Sequence, residues 1–245
     1  GLKFNFLNKN QFLREHYKFL KNNLDEKSML FPSFNYDFLK SKEYNVLNDK
    51  IQVGLLNEFI RNSEFNFRSL IPVFNFISKN KISPFDNFKN KIIDPFDDTS
   101  VFSLLNNEAG GYLFYGAKLK ATTLIHFVER ISGNLYYRYD KIFKGVIING
   151  LVSKPIKLNY HVRPKGLHQE YDWDKIEYDL TQNQLLMKYK SGLTSIMFFS
   201  VKKVVDFWLE NLKQDSTYFL DKHSKILVKD KLDNLGRAFT ITDFE

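Results

Sequence analysis

The sequence predicts an α+β fold: a C-terminal helix packed on a small, mostly antiparallel sheet, with an irregular helical middle region and a C-terminal extension. Three observations predict it. Ala117, Ala121, Leu124, Ile125 and Val128 fall at offsets 0, 4, 7, 8 and 11, one face of a 3.6-residue helix. Phe143-Lys-Gly-Val-Ile-Ile-Asn-Gly150 is short, β-branched and closed by Asn-Gly, the mark of a strand running into a turn. Lys188 to Phe199 reads as a second strand, closed by Lys202-Lys203.

In chain order the 245 residues divide into four segments, long enough together to bury a sizeable core. Residues 1–45 form a strand-helix segment. Leu2, Phe4 and Phe6 alternate with polar neighbours as in a half-buried strand, and from Gln11 onward Phe12, Leu13, Tyr17, Leu20 and Leu24 give a helical stripe. Residues 46–116 are the middle region. It holds a helical pattern at Leu55, Leu56, Phe59 and Ile60, and an apolar run from Leu70 to Ile77 broken by Pro72. Pro84-Phe-Asp86 and Pro95-Phe-Asp97 read as twin turns in which the Asp caps the backbone that follows. Residues 117–203 carry the α+β domain. In the extension, 204–245, Val204 to Leu212 forms a short helix. The mixed stretches beyond it should dock on a neighbour or wrap back over the domain.

A hydrophobic fraction of 43% is that of a globular chain. The 25 Phe and 13 Tyr, among abundant Asn and Lys, reflect an AT-rich coding genome. A net charge of +8 asks for an anionic partner, nucleic acid or a lipid surface. The absence of Cys excludes disulfides, thiolate zinc sites and cysteine nucleophiles. No apolar run approaches the ~20 residues a membrane span needs. Between Arg138 and Lys165 stand seven cations (Arg138, Lys141, Lys144, Lys154, Lys157, Arg163, Lys165) against one anion, Asp140. Tyr136, Tyr137, Tyr139 and Tyr160 are interleaved with them, a pattern suited to phosphates and unpaired bases. Glu170 to Asp179 is acidic and suits pairing with that strip better than a metal, having no calcium-loop spacing.

Of five histidines, His126 lies on the amphipathic stretch with no His or Cys four residues away to complete a metal pair. His161 and His168 flank Pro164 near Glu170 and Asp172, from which a hydrolase could be drawn. No phosphate loop, nucleophile elbow or zinc-protease motif is present, so the expectation is a protein that is not an enzyme and uses no cofactor or metal.

The order of several pieces resembles a family. Ala-x-Leu-x-Ala-x-x-Leu-x-x-x-Val-Glu-Arg from Ala117, Lys144-Gly-Val-Ile-Ile-Asn-Gly150, Arg163-x-x-Gly166, Lys175-Ile-Glu-Tyr178 and Tyr189-x-Ser-Gly192-Leu look like the C-terminal domain of universal small-subunit ribosomal protein three. The start, with Lys3-Phe4 and Asn8-Lys9, is similar to its N-terminus. The resemblance implies a structural protein of the mitochondrial small ribosomal subunit, in the matrix, holding rRNA near the mRNA entry side. Lys3, Lys9, Arg14, Arg130, Arg138, Lys141, Lys144, Lys154, Lys157, Arg163, Lys165, Lys188 and Lys190 would grip the phosphates. Neighbouring ribosomal proteins would meet the 204–245 extension, and mRNA would be a further partner. The chain departs from the family in two places. Only Gly54 lies between Gly1 and Gly110-Gly111, so the KH domain's Gly-x-x-Gly loop is missing. The family's mRNA-side arginines also fall here on Leu135 and Tyr136. Glu129-Arg130, Tyr137-Arg138, Ile148-Asn-Gly150 and Tyr160-x-Val-Arg-Pro164 are also similar to small-subunit protein four. From another class, an accessory subunit of a respiratory or ATP-synthase complex would suit the aromatic, Asn-rich chain and its tail.

Overall fold

Asn8 opens the first helix because its side chain accepts from the backbone N–H groups of Asn10 (2.9 Å) and Gln11 (3.4 Å), two donors a helix leaves without partners. The structure, a computed structural model, describes residues 8–63, 67–82, 92–133, 135–192 and 194–245. The strand expected over Leu2 to Phe6, Lys3 and the turn at Pro84-Phe-Asp86 lie outside them. The fold is α+β. The chain forms two compact units, one of residues 4–95 and 142–159, the other of 96–141 and 160–245 with 1–3.

The first unit begins with α1 (Lys9–Asn23), which buries Phe12, Leu13, Tyr17 and Leu20 as its stripe predicts. It continues through β1 (Leu30–Pro32), α2 (Phe38–Ser41), β2 (Glu43–Asn45), α3 (Leu55–Ser63), β3 (Phe67–Arg68), β4 (Phe76–Ser78) and β5 (Ile92–Ile93). Strands β1, β4 and β3 form an antiparallel sheet with β4 in the middle. Pro72 breaks the Leu70–Ile77 run. The chain turns there, Phe74 N–H donating to the Pro72 carbonyl at 2.8 Å, and β4 starts only afterwards. Val73, inside that turn, sits at φ +68°, where a β-branched side chain is strained, and its complete burial offsets the cost.

The second unit holds α4 (Val101–Asn107), β6 (Gly111–Tyr115) and α5 (Leu124–Ile131). Strands β7 (Tyr139–Asn149) and β8 (Val152–Val162) follow, joined by the two-residue connection Gly150-Leu151. Their 142–159 portion belongs to the first unit, where β2 pairs with β7 and β5 with β8, both in parallel. Then come α6 (Trp173–Gln182), β9 (Met187–Ser191), β10 (Thr194–Ser200), α7 (Val201–Gln214) and α8 (Lys222–Leu235).

Several elements differ from expectation. The helical stripe from Ala117 is interrupted: Leu119–Ala121 is a 3-10 turn and α5 begins only after Thr122-Thr123, β-branched hydroxyl residues that favour helix entry over interior. The stretch from Lys188 is a hairpin rather than one strand, β9 and β10 pairing antiparallel about Gly192 at φ +57°. β8 has little signature in the sequence, because its inward residues Leu158 and Asn159 are few and its tip, with Pro155, is exposed. Asp97 caps its turn as expected, accepting from Thr99 N–H at 2.9 Å.

The second unit's core gathers around α7, whose Val201, Val204, Val205, Trp208 and Leu212 are buried. Trp208 packs edge-on against Phe219 (5.3 Å) and Phe199 (6.3 Å), and fully burying such side chains contributes about 1.5–3 kcal/mol each. Gly111 is required on β6: a Cβ there would lie 2.3 Å from the Phe198 ring on β10. The tail wraps back. Phe239 N–H donates to the Tyr136 carbonyl at 2.8 Å, Phe244 stacks on Tyr139 at 5.7 Å, and Glu245 pairs with Lys141. Among the described residues no helix is long and apolar enough to cross a membrane.

Candidate active site

The amphipathic stripe of α5 buries Leu124, Ile125, Phe127 and Val128, and with them a residue that should not be there, the carboxylate of Glu129. Its side chain is fully shielded from solvent. A carboxylate at such depth is tolerated only if paired and hydrogen-bonded, and Glu129 is both. Arg138, which is 6% exposed, places Nε 3.1 Å from Oε2. The hydroxyls of Tyr171 (2.8 Å) and Tyr137 (3.2 Å) donate to Oε1. His126, one helical turn earlier, lies with Nδ1 3.0 Å from Oε2, at the i,i+3 spacing that puts two side chains on one helix face.

Burial alone would raise the Glu129 carboxyl. The Arg138 charge and the hydrogen bonds from His126 and Tyr171 outweigh it and hold the group down at about 2. Burial would lower Arg138, yet the charge of Glu129 moves it upward on balance. His126 goes below its ordinary 6.5 because of burial, with Glu129 opposing and the positive charge of Arg138 reinforcing. The imidazole is therefore neutral at neutral pH. Its Nδ1 faces a carboxylate and so carries the hydrogen, which leaves the lone pair on Nε2. The side chain remains 27% exposed. A neutral histidine, oriented by a buried carboxylate and partly open to solvent, can take a proton from a reacting group.

The surroundings hold this arrangement in place. Gln169 Nε2 donates to the Tyr137 carbonyl at 2.8 Å, and the Phe96 ring meets His126 edge-on at 5.7 Å. Arg138 Nη1 donates to the His161 carbonyl at 3.3 Å. The His161 ring bonds Asp140 at 3.0 Å, and Asp140 in turn pairs with Arg130 at 2.8 Å. Tyr171 also borders a shallow depression lined by Asp172, Trp173, Asp174, Asp221, Lys222 and His223. His168 lies there too, 4.0 Å from Asp221 and against the His223 ring at 5.2 Å. Among the described residues no group of three or more His, Asp or Glu side chains is placed to hold a metal.

The cations singled out in the sequence are dispersed. Arg130 and Arg138 belong to the cluster around α5, and Lys141 is tied to Glu245. Arg163 pairs with Glu170 at 3.0 Å and Lys188 with Glu177 at 2.7 Å. Lys9, Arg14, Lys144, Lys154, Lys157, Lys165 and Lys190 are exposed. Of the four tyrosines expected to stack on bases, Tyr137 and Tyr139 are buried, Tyr136 is exposed and Tyr160 is half-buried. His126 and Glu129 escape a reading that looks for a metal partner four residues from His126. The signal is a histidine and a carboxylate three apart on an otherwise apolar face.

A buried carboxylate orienting a neutral histidine is equipment for acid–base chemistry. A family model described as aminoglycoside 3-N-acetyltransferase (Antibiotic_NAT) matches residues 18–213, and the chain belongs to that family. Solved structures share the fold. The YokD protein from Bacillus subtilis has a TM-score of 0.63 at 14% identity, covering 84% of this chain and 82% of that one. AAC-IIIb, solved with CoASH, has a TM-score of 0.58 at 13% identity, covering 79% and 72%. A histidine-to-alanine mutant of aminoglycoside acetyltransferase AAC(3)-IVa, in complex with a gentamicin, has a TM-score of 0.60 at 16% identity, covering 78% and 71%. A comparison with curated proteins finds no match.

These findings overturn the ribosomal resemblance, and with it the structural role in the mitochondrial small subunit, the rRNA, mRNA and ribosomal-protein partners, the matrix location and the expectation of a non-enzyme. The same findings overturn the respiratory or ATP-synthase subunit. The resembling pieces mislead for a physical reason. Ala117 to Arg130 matches because it is an amphipathic helix entry, and Lys144 to Gly150 because it is a strand running into an Asn-Gly turn, patterns that recur wherever a helix packs on a sheet.

Proposed function

We propose that this chain transfers an acetyl group from a coenzyme A thioester to a primary amine, with His126 as the general base. The observation that carries it is the contact of His126 Nδ1 with the buried Glu129 carboxylate. An amine becoming an amide must lose a proton, and Nε2 of His126 has the lone pair to take it. As the amine nitrogen attacks the thioester carbonyl carbon, the N–H proton passes to Nε2. When the tetrahedral intermediate collapses the C–S bond breaks, and Nε2–H returns the proton to the departing sulfur. The products are an amide and a free thiol, and the base ends as it began. Glu129 stabilises the imidazolium that exists between the two steps.

The family description, a CoASH-bound neighbour and a gentamicin-bound neighbour support an aminoglycoside amino group as acceptor. A chain of net charge +8 exerts no long-range pull on a polycation. Local carboxylates are needed instead, and the depression beside Tyr171 supplies Asp172, Asp174 and Asp221 against the single cation Lys222, next to the Trp173 ring.

Thiol release from acetyl-CoA, followed with gentamicin and with a panel of simpler primary amines, tests the proposal. His126→Ala should lower kcat by roughly 10²–10⁴-fold, the usual worth of a positioned base. Because burial holds His126 below 6.5, kcat at saturating amine should fall along an acid limb below that pH. A folded wild-type chain that releases no thiol with any amine, or a His126→Ala chain as fast as wild type, would end it.

A further inference from the structure

Tyr171 is buried, and its hydroxyl oxygen lies among three polar neighbours from two other parts of the second unit. Glu129 Oε1 is 2.8 Å away, His126 Nδ1 is 3.3 Å away, and Arg138 Nη2 donates to it. Two of the three have fixed roles. An ionised carboxylate only accepts and a guanidinium only donates. The phenol's single proton therefore goes to Glu129, and its lone pairs face Arg138 and His126. Burial raises the phenol well above 10, with Arg138 opposing and Glu129 reinforcing, so the hydroxyl keeps that proton.

The histidine is constrained in turn. Both groups that Nδ1 meets, Glu129 Oε2 and the Tyr171 oxygen, present lone pairs to it, so Nδ1 must hold its hydrogen. Glu129 alone is a weaker guarantee, because Oε2 is shared with Arg138 Nε at 3.1 Å, which draws on the same charge. We infer that Tyr171 is a positioning residue that fixes the tautomer of His126, accepting from Nδ1–H while tethering the other carboxylate oxygen of Glu129, and so keeps the basic lone pair on Nε2. The tautomer follows from the geometry alone. Its kinetic consequence rests on the proposal that His126 is the base. The groups facing His126 are Glu129 on its own helix, Arg138 ahead of β7, His161 on β8, the Phe96 ring and Tyr171 itself, while Tyr137 meets Glu129.

The experiment is a long-range proton–nitrogen correlation spectrum of chain labelled with ¹⁵N-histidine, at a pH above the His126 titration, for wild type and Tyr171→Phe. Wild type should show Nδ1 protonated and Nε2 bare. In Tyr171→Phe both nitrogens should move toward averaged positions as the other tautomer becomes populated. In thiol-release assays the variant should lose about tenfold in kcat with KM within about twofold, the pattern of a group acting on the transition state. Its acid limb should move to lower pH, because the imidazolium loses one of the two acceptors on its Nδ1–H. 3-Fluorotyrosine at position 171, a weaker acceptor of nearly the same shape, should move that limb the same way by less, and it serves if the Phe variant does not fold. An unchanged tautomer in a folded Tyr171→Phe chain, even with a lowered melting temperature, or a limb indifferent to fluorination, would reduce Tyr171 to packing. Absence of thiol release from wild type would instead remove the proposed function, while the spectrum would still decide the tautomer.

Discussion

Two arginines drawn inward, Arg68 half-buried in the first unit and Arg138 buried in the second, have met the same problem in opposite ways. Arg68 in the first unit lies 5.4 Å from the Tyr44 ring, and each of its hydrogen bonds ends on a neutral oxygen. These are the carbonyls of Ser33 (2.8 Å), Asp49 (2.6 Å) and Val46 (3.2 Å), the Asn75 amide (3.1 Å) and the Ser33 hydroxyl (3.2 Å). Arg138 lies 5.8 Å from the Tyr171 ring and faces a carboxylate. Burial lowers Arg68, whereas Glu129 more than reverses that for Arg138. A cation answered by carbonyls ties loops together and does no more. A cation answered by a carboxylate keeps that carboxylate charged in a dry place, where it can orient a histidine.

The comparison can be broken most forcefully at Arg138. Arg138→Met leaves Glu129 buried without its countercharge and should cost about 3–5 kcal/mol in denaturant unfolding, as removing one partner of a buried pair does. Arg68→Met strips donors from neutral acceptors only, and should cost about 1–3 kcal/mol while leaving the His126 nitrogen spectrum and thiol release as they were. Acid sharpens the contrast. Glu129 is held at about 2 against an ordinary 4.5, so its contribution is complete above pH 4.5 and is lost as pH falls from there toward 2. Urea midpoints measured from pH 6 to pH 3 should fall in wild type. In Arg138→Met, where only the hydrogen bonds still oppose burial, Glu129 is held down less and that acid-driven fall should shrink. The smallest effects are expected on the exposed strip. Lys144→Gln, Lys154→Gln and Lys157→Gln should each stay within about 0.5 kcal/mol and leave acetyl transfer unchanged.

How much of this the sequence discloses follows from the range of each interaction. The helices α1 and α7 are legible because the burying stripe is written in consecutive turns, and α3 is legible as a helix although only Ile60 of its expected stripe is buried and Leu55 is exposed. So is the turn at Asp97, whose cap reaches only two residues onward. At the site, His126 and Glu129 are three residues apart and can be seen together. Arg138 is nine residues from Glu129, and Tyr171 forty-two beyond it, so nothing local announces that they converge. The seven-to-one charge count between Arg138 and Lys165 gives no hint that Arg138 is buried while Lys144 and Lys154 are exposed, since composition carries no sign of burial. The pattern from Ala117 overruns α5 because periodicity counts apolar positions and does not weigh the Thr122-Thr123 interruption.

Trp173 stands edge-on to Tyr171 at 5.5 Å and 81°, on the rim of the depression. The only other tryptophan, Trp208, is sealed in the core, where exchange for Phe removes its emission at a cost in packing. The molecule thus carries its own fluorophore one ring away from the group that steers His126, and emission from a Trp208→Phe chain would follow ligands arriving there without any attached dye.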